Sequence, residues 1–175
     1  MFHSGTQTLI DYWAALPEAG RIPARSAFAP MALGIKAPQL FSADLTDEGA
    51  RFRLAGGWVE RLHGQPLRGL DWLGLWRRES RPLVTASIAQ AFREARPVVL
   101  LADATLLDGV LEIVIAPLRG ASGSADRLVG LYQPVESLDR QAEAVGPLSA
   151  RLSIGVGPIE RPPLTLAAVG GRRIA

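Results

Sequence analysis

Cysteine is absent from this 175-residue chain, and histidine occurs only at His3 and His63. Without thiols there is no disulfide, thiolate nucleophile, cysteine zinc site or cysteine-linked flavin photochemistry. An excess of one charge is also lacking. Lysine plus arginine number 19 against 17 aspartate plus glutamate, a formal charge of +2, too small to argue for nucleic acid. Lys36 is the single lysine, and the arginine excess reads as codon-composition bias. No apolar run nears the ~20 residues that cross a bilayer. The first 16 residues lack a basic flank followed by an apolar stretch, so no secretory signal is expected. A cytoplasmic setting follows as the expectation. Hydrophobic residues make up 48% and charged residues 21%, which permits one real core and excludes wholesale disorder.

Leu9, Trp13 and Leu16 recur at helical spacing and predict an amphipathic helix over Thr6–Leu16, capped by Thr6 or Ser4 and ended by Pro17 and Gly20. Pro23, Pro30 and Pro38 make residues 21–39 a connecting segment with short helical turns. Leu40–Thr46 reads as a strand, Asp47-Glu48-Gly49 as a turn, and Arg51–Ala55 as a half-buried second strand. A short helix fits Trp58–Leu62, with Gly64 as a left-handed cap. Leu67–Trp76 suits one or two helical turns. Val84, Ile88, Ala91, Phe92 and Ala95 mark a longer amphipathic helix, Arg81–Arg96, begun at Ser80 and stopped by Pro97.

Residues 97–118 carry two apolar runs around Asp108-Gly109, which reads as a two-residue hairpin turn. That turn sets Leu107 opposite Val110 and Ala104 opposite Ile113. Leu100, Ala102, Ala104, Leu106, Leu111, Ile113 and Ile115 then share an apolar face that must meet the core. The other face, with Val99, Leu101, Asp103, Glu112 and Val114, is mixed, and Glu112 with Asp103 is expected to face solvent. After a polar loop, Arg127–Val135 forms the last of five strands. Beyond it the pattern weakens, with one short strand expected at Leu164–Val169. Helices inserted within an antiparallel sheet cover one of its faces, an α+β arrangement.

This element order over Leu40–Val135 resembles a PAS domain. The run Arg53-Leu54-Ala55-Gly56 followed by His63-Gly64-Gln65-Pro66-Leu67-Arg68-Gly69 is similar to the R-L-A-G-T … G-R-x-L-x-G run of small stand-alone bacterial PAS proteins, mostly alphaproteobacterial. Gly57 and Gln65 depart from it. The resemblance covers residues 20–135. It implies a five-stranded antiparallel sheet with helices on one face, in a sensory or regulatory module that binds a small ligand, a partner protein, or both. The chain then divides into an N-terminal helix (1–20), the PAS-like domain (21–135) and a partly irregular extension (136–175).

In haem-binding PAS domains the ligand comes from the longer helix. Here that helix has no His, Cys or Met, which disfavours haem, as the missing cysteine disfavours cysteine-linked flavin. His63 at a helix end reads as a surface residue. Trp58, Trp72 and Trp76 read either as core or as the lining of a pocket for an apolar or planar ligand. Leu54, Ile88, Phe92, Ala102, Ala104 and Ile113 complete that candidate pocket, the alanines leaving volume above the sheet. Arg51 and Arg53 share a strand face and are expected to be solvated or paired there. Arg77, Arg78 and Arg81 lack a recognition helix or stacking platform, so no nucleic-acid partner is expected. No nucleophile elbow, phosphate loop, histidine metal spacing or dinucleotide fingerprint occurs, and the expectation is a non-enzyme.

The outer sheet face, greasy at Val99, Leu101, Val114 and Ala116, needs a cover. The N-terminal helix can supply it to its own sheet or to a partner's, so a homodimer is expected. The resulting reading is a stand-alone sensory or regulatory adaptor acting through protein contact on an unidentified signalling partner, with no nucleic-acid or membrane partner. Two other readings survive: a passive small-molecule binding protein, and an enzyme of the cone-shaped α+β barrel type.

Overall fold

The computed structural model describes residues 2–17, 21–47, 49–104, 109–135 and 144–157, and the backbone of Ala168–Val169 and Arg172–Arg173. Helix α1 spans Ser4–Ala14. Strands β1 (Leu40–Thr46) and β2 (Gly49–Ala55) lead into α2 (Gly57–His63) and α3 (Arg81–Arg93). Strands β3 (Val98–Ala104), β4 (Gly109–Leu118) and β5 (Arg127–Pro134) follow, and then β6 (Ser149–Gly155). These form one antiparallel sheet in the order β2-β1-β5-β4-β3-β6. The sheet has six strands rather than the expected five, because the segment after Val135 returns to pair with β3. Among the described residues no helix is long and apolar enough to cross a membrane.

The hairpin faces are as expected, but the register is not. Ala104 lies opposite Gly109, and Leu100, not Ala104, lies opposite Ile113. Gly109 begins β4, so Asp108-Gly109 is not a two-residue turn; Leu106, Leu107 and Asp108 lie outside the described residues. Side-chain direction repeats every two residues. The four-residue slip therefore returns each side chain to its expected face. Val98, Leu100, Ala102, Ala104, Leu111, Ile113 and Ile115 all meet the helical layer, each fully buried.

The outer face is covered in cis. Leu9, Ile10, Trp13 and Leu16 pack on Val99, Val114, Ala116, Leu118, Val129 and Leu131 of the same chain. Helix α1 starts earlier than its apolar pattern and is capped by His3, whose Nδ1 accepts the Gly5 amide at 3.2 Å. Ser4 and Thr6, the expected caps, both lie within the helix, Thr6 buried. Glu112 explains the start. It is buried rather than solvent-facing, and its carboxylate accepts the His3 amide at 3.0 Å. The helix has no acid in its own first turn, so β4 supplies the anion that its positive end favours. Gly5 allows this approach, since a Cβ there would collide with Gln133. Deleting residues 1–20 is expected to bare the apolar outer face and drive self-association. Light scattering checks this, and a truncated protein of unchanged mass and melting temperature would contradict the packing.

Two smaller differences have local causes. Helix α3 ends at Arg93 rather than Arg96, because Ala95 takes a left-handed φ of 47° and Glu94 is clamped by Arg96 at 2.6 Å. The Ser80 side chain does not cap α3; its Oγ accepts the Ala150 amide at 3.0 Å, tying the helix start to β6. The expected strand at Leu164–Val169 lies largely outside the described residues; Ala168–Val169 pairs with Arg172–Arg173.

Candidate functional site

The inner sheet face and the helical layer enclose an aromatic cluster. Phe41 of β1 touches Phe52 of β2, Trp72 and Tyr132 of β5 at centroid distances of 5.2–5.5 Å. Trp72 meets Trp76 edge-on at 5.6 Å. Trp72 begins a 3-10 turn capped by Asp71, whose Oδ1 accepts both the Leu73 and Ala50 amides. One carboxylate thus fixes the tryptophan and ties its turn to β2. Trp72 Nε1 donates to the Tyr132 hydroxyl at 2.9 Å, which satisfies that buried indole. Burial raises the Tyr132 pKa, opposed only by that bond, so the phenol stays protonated.

His63 is not a surface residue. It ends α2 before Gly64, which takes the expected left-handed φ of 67°. Its ring turns inward, 8% exposed, edge-on to Tyr132 at 5.6 Å. Its Nε2 has no hydrogen-bond partner among the described residues, and burial lowers its pKa to about 4. Nothing in the sequence marks this, because a lone imidazole before a glycine carries no sign of what packs over it.

Tyr132→Phe tests the layer. It keeps the ring and leaves the Trp72 donor buried without an acceptor. The expected cost is about 1–3 kcal/mol in urea unfolding, with little change in shape.

A family model described as a PAS domain matches residues 1–133. The chain belongs to the PAS domain family. Two solved structures similar to this PAS domain are an RNA-binding light-oxygen-voltage receptor and a LOV protein of Rhodobacter sphaeroides. The first is 20% identical over 55% of this chain and 29% of that one, with a TM-score of 0.43. The second is 19% identical over 58% and 64%, with a TM-score of 0.44. The chain therefore spans less than two thirds of either. A comparison with curated proteins finds no match.

Most of the expected pocket residues of this PAS domain do come together, but as packed core. Trp72, Trp76, Ala102, Ala104 and Ile113 are essentially inaccessible. The space above the two alanines is therefore occupied by the protein's own helical layer. Trp58 packs against that cluster half-buried. Ile88 and Phe92 differ, since they line an open cleft of about 600 Å³ between α3 and the β1–β2 turn. Leu45, Leu73, Thr85 and Ala89 also line it, together with Thr46, Asp47, Gly49 and Ala125. Sequence reasoning missed the first four because they lie on three separate elements.

Leu54 leaves the group. Ala43 pairs with Phe52 and Ser42 with Leu54, so Arg53 is an extra residue, a β-bulge. The bulge sends Leu54 to the outer face, 54% exposed. Arg53 pairs with Asp44 at 3.2 Å, and Arg127 joins the same carboxylate at 2.8 Å. The expected outer-face pairing of Arg53 is thus present. Among the described residues no three His, Cys, Asp or Glu side chains gather to hold a metal ion.

Proposed function

We propose that this PAS domain is a non-enzymatic sensory or regulatory module that takes a small apolar or planar ligand beneath α3 and passes its state on by contact with a signalling protein. The supporting observation is the α3 cleft. It opens beside the buried aromatic layer, is large enough for a small organic molecule, and presents Ile88 and Phe92 from the helix and Leu45 from β1. A ligand there touches helix and sheet together, so it can favour one placement of α3 over another. The setting in this reading is cytoplasmic.

The homodimer stays part of the proposal, on a narrower surface. Helix α1 already covers the centre of the outer face, which leaves Leu101 half-buried and Leu152 and Ile154 exposed on the β3–β6 side. The enzyme reading needs an acid beside an imidazole in an apolar cavity. The described contact of the His63 ring is with Tyr132, which does not favour it.

Native mass spectrometry of the freshly purified full chain, beside an Ala89→Trp variant that narrows the cleft, tests the reading. The expected result is a small molecule retained by the parent and lost by the variant, with α3 amides more protected from exchange when it is bound. Equal retention by both, or turnover of a library compound, overturns it. A ligand that leaves α3 exchange unchanged favours a passive binding protein.

A further inference from the structure

A second cavity lies on the opposite side of the sheet, and its lining differs in kind. It measures about 230 Å³ and sits between the outer face and the connecting segment that follows α1. Leu40, Leu118 and Val129 of β1, β4 and β5 form its sheet side, and Phe28 of the connecting segment and Leu54 of β2 flank it. Among the described residues, Arg25 is the single charged side chain lining it.

We propose that this cavity is a binding site for a small monocarboxylate with an apolar body, such as a one-ring aromatic acid, held by Arg25. Three observations converge. A cavity of about 150 Å³ lined by apolar side chains accepts benzene, so 230 Å³ takes a ring with a short acid chain. Arg25 Nη1 donates to the Phe28 carbonyl at 3.1 Å, which holds the guanidinium at the cavity. No carboxylate among the described residues forms an ion pair with it. Its remaining N–H groups suit a carboxylate, which a guanidinium binds through two parallel hydrogen bonds. Leu54 supplies the third observation. The Arg53 bulge turns this leucine from the core toward the cavity and leaves it 54% exposed, an apolar surface that a bound ring would cover. Ser42, its cross-strand neighbour and the other polar side chain of the lining, offers a hydroxyl to the ligand.

The site is separate from the α3 cleft and stands or falls independently of it. Phe41 couples the two faces, since it borders this cavity and its ring packs on Trp72 inside. Occupancy is therefore expected to change tryptophan fluorescence.

Calorimetric titration of the full chain with 3-phenylpropionate, 3-phenylpropanol and 3-phenylpropylamine decides the matter. The acid is expected to bind saturably at one site, and the alcohol and amine roughly ten- to hundredfold more weakly, for want of a charge-assisted bond. Arg25→Gln is expected to bring the acid down to the level of the alcohol. Leu54→Trp, at an exposed position, is expected to fill the cavity and abolish binding, while Ala89→Trp leaves it intact. If Arg25→Gln does not fold, the three-ligand comparison on the parent still decides. Absence of saturable acid binding, or equal binding of acid and alcohol, overturns the proposal. So does binding that survives Leu54→Trp and disappears with Ala89→Trp, which places the ligand beneath α3 instead.

Discussion

Leu148→Ala is expected to destabilise the protein by about 2–5 kcal/mol, while Leu152→Ala, four residues on, is expected to cost no more than about 0.5 kcal/mol. The contrast follows from the path of the chain after the family-matched region. Val145 donates its amide to the Leu62 carbonyl of α2, and the Leu148 amide donates to the Leu75 carbonyl. Both side chains are fully buried against the inner aromatic layer. The chain then enters β6, where Leu152 lies opposite Leu101 on the outer face, 41% exposed. Arg151 is the extra residue of a second bulge, and it reaches across to Asp103 at 2.6 Å. Residues 144–148 thus close the helical layer, and β6 protects the edge of β3. Truncating the 148 side chain opens a cavity that the surrounding helices cannot fill; truncating 152 removes atoms that already lie partly in water and leaves no enclosed cavity. Urea unfolding of the two variants measures the difference. Equal costs would mean that the strap does not lie over the core.

This strap also shows where the sequence was readable and where it was not. The strand over Leu40–Thr46 and the cap at Gly64 are visible from local pattern, since alternation and a left-handed glycine express themselves within a few residues. The hairpin faces were legible for a different reason. Any even slip preserves them, so an incorrect Asp108-Gly109 turn still left Ala102 and Ala104 on the core face. The bulges were not legible. Phe52 and Leu54 have the spacing of one strand face, and only the pairing with Ala43 and Ser42 shows that Arg53 has been inserted between them. β6 escaped because its apolar residues Leu152 and Ile154 face water, so its alternation looks like that of any exposed segment. The expected site divided along the same line. Its tryptophans were correctly placed in one layer, but whether a layer is full or hollow depends on the volumes of several elements at once.

Stability of the protein is expected to fall by about 3 kcal/mol as pH drops from about 6.5 to 4, because of His63 alone. The imidazole is buried against Tyr132, its Nε2 lacks a partner among the described residues, and its pKa is lowered to about 4 by desolvation. In the unfolded chain the same group takes a proton near its ordinary value of about 6.5. Between those limits the unfolded state binds more protons than the native one, so acid favours unfolding. At pH 7 both states are neutral at this position and the effect vanishes; below about 4 both are protonated and the loss is complete. Glu94 contributes in a different window. Hydrogen bonds from Gln90 and Arg96 hold its carboxyl below the usual carboxylate range, so its contribution is present at neutral pH and is lost only as pH falls into the range where unfolded glutamate takes up a proton. Unfolding midpoints collected from pH 7 to pH 5 therefore report mainly on the histidine. His63→Phe retains an aromatic ring and discards the titrating nitrogen, so its stability should be nearly constant over that range and should exceed the parent's at pH 5. Were the parent flat there, or the phenylalanine variant just as steep, the inward-facing position of this side chain would be wrong, and with it the edge-on packing that closes the aromatic layer at α2.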